Sequence, residues 1–299
     1  MRLIPRVAAC TVLLLVLATV FGTPAAAQDL LPEQSAVKAK QLLQQVVTAL
    51  GGQAYLNARD IDCTGRVSQF EANGSPQDPT EFRELWLLPD KNRMEFFSKG
   101  EHEFLAFALG SGSPIFTRGG VLVSVCNGSE GWTLDKSGVT NQPEEVIKNF
   151  TEQRNAGMNH MLRSRGNEPG LEAHYAGTDL IDLKEAEWIE FNDAEHHILR
   201  LAVDRLTHLP LRWVVAKRDP ETRVNTEITT SYAEYLPMDG VKTPLNIVVT
   251  RNDHRLTQTF LTGCKYNSNL DAQLFTRASL NQRPGGSSKK GDKSAKSKN

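Results

Sequence analysis

The stretch "VDRLTHLPLRWVVAKRD", residues Val203 to Asp219, has a large apolar residue at every second position after a turn. The alternating residues are Leu209, Leu211, Trp213 and Val215. Side chains of a β-strand point alternately to opposite faces, so this spacing predicts a half-buried strand with Arg212 on its other face. We predict that the apolar face lines a ligand cavity together with Leu199 and Leu201 of the preceding strand. The alternative is that the face is ordinary core.

Comparable strand-like segments occupy most of the chain. They are short, they are separated by clusters of Gly, Pro, Asn and Asp, and crossover helices do not intervene between them. Strands that follow one another in this way pair antiparallel. We expect strands over residues 61–70, 80–89, 92–100, 103–109, 120–128, 131–135, 171–181, 186–191, 197–204, 209–218, 226–236, 241–251 and 255–266.

Two helical regions accompany the strands. Residues 32–52, "PEQSAVKAKQLLQQVVTALGG", have apolar residues at helical spacing and end in two glycines, as a C-terminal cap would. A second helix is expected in "PEEVIKNFTEQRNAGMNHMLRS", inside an excursion between residues 141 and 170. Because a twisted sheet of more than about ten strands curls, we predict a mainly β (α+β) fold. Its curved antiparallel sheet should form an incomplete barrel around the helices.

The N-terminus has the pattern of a secretory signal peptide. Two arginines precede an apolar run, which ends in small residues, and cleavage is expected after Ala27. A lipoprotein box at Cys10 is the first alternative, but it precedes the apolar run instead of following it. A retained membrane anchor is the second, but the run is shorter than the roughly 20 residues that a span needs. We therefore expect residues 1–27 to be removed and the mature chain to be exported, periplasmic and without a transmembrane segment.

The C-terminal residues 281–299 are basic and hold no large apolar residue. Such a segment buries too little to fold, so we predict a disordered tail, either simply solvated or tethered to an anionic surface. Without the leader's two arginines and the tail's net +5, the chain's net charge of −1 becomes about −8 on residues 28–280. This acidic body, predicted to be one domain, argues against a nucleic-acid partner.

The cysteines leave their pairing open. The mature chain has Cys63, Cys126 and Cys264, so at most one internal disulfide forms, by any of three pairings. The other interpretation is that all three are small buried apolar residues.

Motifs that would support catalysis are absent from the sequence. It has no H-E-x-x-H, no paired C-x-x-C, no G-x-S-x-G and no G-K-[ST] phosphate loop. His196, His197 and His208 are the nearest approach to a metal cluster, but adjacent histidines on a strand face opposite ways. Cys126 is a candidate nucleophile without a placed base. We predict that the protein is not an enzyme and uses no cofactor and no metal.

Several stretches together resemble a known family. "AKQLLQQVVTALGG", "IDCTGRVSQF", "VCNGSEGWTL", "HILRLAVDRLTHLPLRWVV" and "SYAEYLPMDGVKTPLNIVV" are similar to the exported outer-membrane lipoprotein carrier (LolA-like) superfamily. The resemblance covers most of residues 36–275. It implies an unclosed β-barrel around helices that holds acyl chains in an apolar cavity. The 141–170 excursion is extra to the dedicated carrier, and no arginine here matches the carrier's lid-locking one.

Fold and resemblance together predict an exported, non-enzymatic protein that binds or carries lipid or lipoprotein. Its partners would be acyl chains, held by burial of their methylene groups. The first alternative is an envelope sensor or interaction protein of the same fold that binds a protein partner. The second is an exported hydrolase.

Overall fold

The structure is a computed structural model that describes residues 30–98, 120–166, 168–192, 198–218, 223 and 225–281. The predicted signal peptide, the predicted strand at 103–109 and the basic tail beyond Asn281 lie outside these residues. Among the described helices, none is long and apolar enough to cross a membrane.

Thirteen strands form one antiparallel sheet in the described part of the chain. They are β1 (Asp60–Gln69), β2 (Thr80–Leu87), β3 (Lys91–Ser98), β4 (Gly120–Asn127), β5 (Glu130–Asp135), β6 (Gly138–Asn141), β7 (Glu172–Ile181), β8 (Lys184–Asn192), β9 (Ile198–Asp204), β10 (Pro210–Arg218), β11 (Asn225–Met238), β12 (Val241–Arg251) and β13 (His254–Tyr266). The spatial order is β6-β5-β4-β3-β2-β1-β13-β12-β11-β10-β9-β8-β7. The sheet is not closed, because β6 and β7 stand at its two ends, which confirms the predicted incomplete barrel.

The helices include both regions that the sequence predicted to be helical, and one short helix at residues 53–56 that it did not predict. They are α1 (Pro32–Leu50), α2 (Gln53–Leu56), α3 (Glu144–Asn155) and α4 (Met158–His160), and α4 continues into a π-helical turn at Met161–Arg165. Gly51 ends α1 with a φ of 125°, a backbone conformation that favours glycine, and it lies against Gly240 in the β11–β12 turn.

The pairing of β1 with β13 joins the N-terminal and C-terminal halves of the sheet. Cys63 and Cys264 are directly opposite each other across this pair and form a disulfide, with their Cα atoms 4.1 Å apart. Of the pairings that the sequence left open, the β1–β13 register brings together this one. Cys126 is a free, buried thiol.

Directly paired residues of an antiparallel sheet lie on the same face, so the register assigns each side chain to one of two faces. The face under the helices, here called the inner face, carries a larger core and a smaller core of Val67, Phe82, Met94, Phe96 and Leu122 on β1–β4. The larger core unites α1, Tyr55, Met158 and Met161 with β8, β9 and β10. Its fully buried sheet residues include Ile189, Phe191, Leu199, Leu201 and Val203.

The outer face of the N-terminal half is covered by the end of the described chain. Two 3-10 helices, Ala272–Phe275 and Arg277–Asn281, pack there against β2, β4 and β5. The buried Arg93 holds them through its ion pair with Glu95 at 2.6 Å and hydrogen bonds of 2.9 Å to the Leu274 carbonyl and the Ser279 hydroxyl. The sequence pattern did not predict these helices or the four-residue strand β6.

Candidate ligand-binding site

Three of the predicted cavity residues lie in a closed part of the inner face. Leu199 and Leu201 are fully buried, and Trp213 is 2 % exposed. The Trp213 indole packs 5.8 Å from the Phe191 ring, and its Nε1–H donates to the carbonyl oxygen of Ala156 at 2.8 Å. These side chains are therefore brought together as predicted, but α1 and the α3–α4 segment cover them.

Leu209 and Val215 lie at the margin of the same core. Both are partly buried and pack against it from the sheet. Val215 is paired with Leu199 on β9 and with Ile228 on β11. It therefore lies at the boundary between the buried core on β9 and the half-buried residues of β11.

Leu211 does not share this face, and the predicted alternation was wrong at this position. Two consecutive residues, Leu211 and Arg212, oppose the single residue Ala202 on β9, which makes a β-bulge. Leu211 consequently packs on the outer face with Ala202, Ile181 and a third buried residue, Ala186. The neighbouring Pro210 was the available signal, because proline inside a strand marks an edge or a bulge.

Next to the closed core, the inner face continues across β11, β12 and β13 with half-buried side chains. We call this surface the inner strip. It consists of Ile228, Thr230, Tyr232, Ile247, Val249 and Thr259, which the register places on the same face as Trp213. Four of the six members are apolar or aromatic and two are threonines, and the charged Arg251, paired with Ile228, lies on the same face next to them.

The sequence pattern did not predict the inner strip as a site. The strip residues lie in "TEITTSYAEYL", "LNIVVTR" and "RLTQTFLTGCKY", where threonine at Thr230 and Thr259 weakens the apolar pattern. Threonine methyl groups favour strands and pack on apolar neighbours, so counting them as partly apolar would have revealed the face.

Tyrosines surround the boundary between the closed core and the inner strip. Tyr55, Tyr232, Tyr235 and Tyr266 all belong to the inner-face core or pack against it. Burial raises the pKa of Tyr55 to about 12, and burial also raises the pKa values of the other three. All four phenols are neutral at physiological pH, so they serve as hydrogen-bonding groups and not as charges.

Three of these hydroxyls have partners inside the protein, and one of them, the Tyr235 hydroxyl, donates to the Pro210 carbonyl at 2.9 Å. The Tyr55 hydroxyl donates to Asn159 Oδ1 at 2.9 Å, and the Tyr266 hydroxyl is 2.9 Å from Thr243 Oγ1. The Tyr55 ring also carries the guanidinium of Arg163, 4.3 Å from its centroid. Polar groups thus collect at one side of an otherwise apolar surface.

The candidate catalytic groups are poorly placed for chemistry. Burial raises the pKa of the Cys126 thiol to about 12, and its Sγ contacts Gln142 Oε1 at 3.5 Å, so the reactive thiolate is not available at neutral pH. His208 lies in the β9–β10 turn, whereas His196 and His197 are outside the described residues. Within the described ranges, no three His, Cys, Asp or Glu side chains are grouped to hold a metal ion.

An open cleft lies elsewhere, between α3 and the β4–β5 turn. Its volume is about 480 Å³, and it is lined by Ser129, Gln142, Glu144, Ile147, Lys148, Thr151 and Glu152. The Gln142 amide is already occupied, because it donates to Ser124 Oγ and to the Trp132 carbonyl. We therefore place the candidate site on the inner strip and not in this cleft.

Comparison with known proteins gives structural matches only. No family model and no curated protein sequence matches the chain. A LolA superfamily protein from Nitrosomonas europaea matches with a TM-score of 0.50 and 11% identity, over 81% of this chain and 99% of that one. A putative outer membrane lipoprotein-sorting protein domain from Vibrio parahaemolyticus matches with a TM-score of 0.49 and 11% identity, over 82% and 99%. A DUF1329 family protein from Desulfovibrio piger matches with a TM-score of 0.48 and 12% identity, over 81% and 98%.

The first of these matches agrees with the architecture built from the residues, namely a long antiparallel meander that stays open and wraps helices on one face. The chain has a LolA-like fold.

Proposed function

We propose that the protein is an exported, periplasmic, non-enzymatic carrier that holds the acyl chains of a lipid or lipoprotein on the inner strip. The observation that carries this proposal is the strip itself, six uncharged residues of β11–β13 that stay half-buried beside a closed core, with Arg251 on the same face at the Ile228 end. Each methylene group that leaves water on such a surface gains about 0.8 kcal/mol, so a long chain binds with few polar contacts. The LolA-like fold supports the same function.

The closed core beside the strip would contact one side of the bound ligand. Val215 and Tyr232 connect the two regions, since both pack against the core and both adjoin strip residues across β10, β11 and β12. A chain on the strip would therefore lie against the core's edge, and the Trp213–Ala156 hydrogen bond would keep the helical cover in place during binding.

The experiment uses two neighbouring valines that face opposite ways. Val249 belongs to the strip, whereas Val248 pairs with Ser231 and Gln258 on the outer face, and both valines are half-buried. Binding of a fluorescent fatty acid is measured for the full chain and for Val249→Asp and Val248→Asp. A carboxylate on the strip must be desolvated by the acyl chain, so we expect Val249→Asp to weaken binding at least tenfold, an effect of about 1.4 kcal/mol.

Val248→Asp is the matched control and should bind like the wild type. Equal effects of the two substitutions would contradict the strip as the site. Native mass spectrometry of protein purified without detergent gives a second readout, in which co-purified lipid is expected. A bound protein with no lipid would instead favour an interaction protein.

A further inference from the structure

Arg163 stands out among the arginines of the inner face. It lies in the π-helical turn Met161–Arg165 and is half-buried, with its guanidinium stacked on the Tyr55 ring. Its Nε atom is buried and has no hydrogen-bond partner in the described part of the chain. Buried N–H groups nearly always donate a hydrogen bond, so the Arg163 Nε–H is still able to donate one.

The surroundings of Arg163 provide hydroxyl groups in place of a counter-charge. Its positive charge acts on Tyr55 and Tyr266 and partly offsets the rise that burial causes in their pKa values. Within the described ranges, no carboxylate forms an ion pair with Arg163, although many of the other arginines have one. Asp239, whose charge also acts on Tyr266, accepts a hydrogen bond from the Tyr266 backbone N–H at 2.9 Å.

These donors adjoin the inner strip. Tyr232, a strip residue, is close enough to Tyr55 for their ionisations to interact, and Tyr55 is the residue on which Arg163 stacks. Between Arg251 at the Ile228 end and Arg163 beyond Tyr232, the strip members are uncharged, and Arg163 carries an unpaired donor. That division matches an amphiphile with an anionic head.

The backbone at Arg163 is also unusual. A π-helical turn is rare, and it occurs frequently at functional sites, where the extra residue turns a side chain in a direction that an α-helix would not. Here the turn follows directly on α4, which covers the core through Met158.

We propose that Arg163 binds the carboxylate or phosphate headgroup of an amphiphile whose hydrocarbon chain lies on the inner strip. The inference rests on the proposed carrier function and specifies the class of ligand. The guanidinium supplies charge-assisted hydrogen bonds.

The test compares three amphiphiles with the same chain, dodecanoate, 1-dodecanol and dodecyl phosphate, by displacement of a fluorescent fatty acid from the full chain at neutral pH. We expect one or both anions to bind about tenfold to a hundredfold more tightly than the alcohol, as charge-assisted hydrogen bonds do. The two anions also distinguish a carboxylate-bearing from a phosphate-bearing ligand. Equal affinities for all three would overturn the headgroup assignment while leaving the strip intact, whereas no binding of any would overturn the carrier function itself.

Substitutions at Arg163 then test whether this residue causes the preference for the anions over the alcohol. Arg163→Gln should remove the preference for the anion and keep alcohol binding, and Arg163→Lys should retain part of it. Arg212→Gln is the control, because Arg212 also has a buried, unpaired Nε but lies on the outer face near Asp182. An equal loss of anion and alcohol binding in Arg163→Gln would show a purely structural role. If neither Arg163 variant folds, the wild-type comparison still decides the headgroup.

Discussion

Trp213 of β10 donates its indole N–H to the backbone carbonyl of Ala156 at 2.8 Å, so the inner face of the sheet is hydrogen-bonded to the residue that ends α3. Both groups would be unsatisfied if the segment between α3 and α4 moved away. This contact therefore stabilises the closed state of the core.

Trp213→Phe should destabilise the protein, because it removes the donor, leaves the Ala156 carbonyl unpaired and creates a small void. We expect the free energy of unfolding, measured with urea, to fall by about 2–3 kcal/mol. Trp188→Phe is the comparison, since Trp188 is only partly buried and lies on the outer face with Leu211. An equal loss in the two variants would mean that the hydrogen bond to Ala156 contributes nothing specific.

The disulfide should contribute strongly to stability. Cys63 and Cys264 are 201 residues apart in sequence, so the bond closes a long loop and restricts the unfolded chain. Chain-entropy estimates for a loop of this length give about 5 kcal/mol. We expect reduction of the wild type to lower the free energy of unfolding by several kcal/mol.

The matching variant is the double substitution Cys63→Ala and Cys264→Ala. Its free energy of unfolding should equal that of the reduced wild type and should not change when reductant is added. Cys126→Ala should keep the full response to reductant, because Cys126 is outside the bond. A wild type whose denaturation curve is the same with and without reductant would argue against the β1–β13 bond.

Leu183 occupies a strained hairpin position. It and Asp182 form the two-residue connection between β7 and β8 with positive φ values of 65° and 48°, and the Leu183 side chain is 91 % exposed. Positive φ is unfavourable for leucine and tolerated by asparagine, so Leu183→Asn should stabilise the protein by about 0.5–1 kcal/mol in thermal or urea unfolding. Leu206→Asn is the control: Leu206 is 89 % exposed without a positive φ, and its replacement should be neutral.

Alkaline pH should destabilise the fold through the buried phenols. The pKa of Tyr55 is raised by burial from 10.0 to about 12, so the folded state favours the neutral form. That contribution is fully present below pH 10, and it is lost as the pH rises from 10 towards 12; for a shift of two units it is on the order of 3 kcal/mol. Urea unfolding across this range should show the loss, and Tyr55→Phe should make the decline shallower. An unchanged slope in Tyr55→Phe would contradict the assignment.

The local pattern of the sequence determined most of the elements. Period-two alternation predicted β8, β9 and β12 to within a few residues, and helical spacing with two terminal glycines predicted α1, which ends at Leu50. Both signals are local, since each depends on which side of one element is buried. Antiparallel order also followed from the sequence, because consecutive strands with short connections have few other ways to pair.

Tertiary structure decided what depends on the partners of each strand. Leu211 lies on the outer face because two residues of β10 stand opposite the single residue Ala202 of β9. The sequence of one strand does not determine its register with the neighbouring strand, so this bulge was not predictable from β10 alone. The disulfide was chosen by the β1–β13 register, which sets Cys63 opposite Cys264 across 201 residues. The inner strip is a candidate site because the core under α1 and α4 is closed, whereas the six strip residues of β11–β13 beside it are half-buried. Alternation determines which side chains share a face, but only the placement of the helices decides which part of that face is left for a ligand.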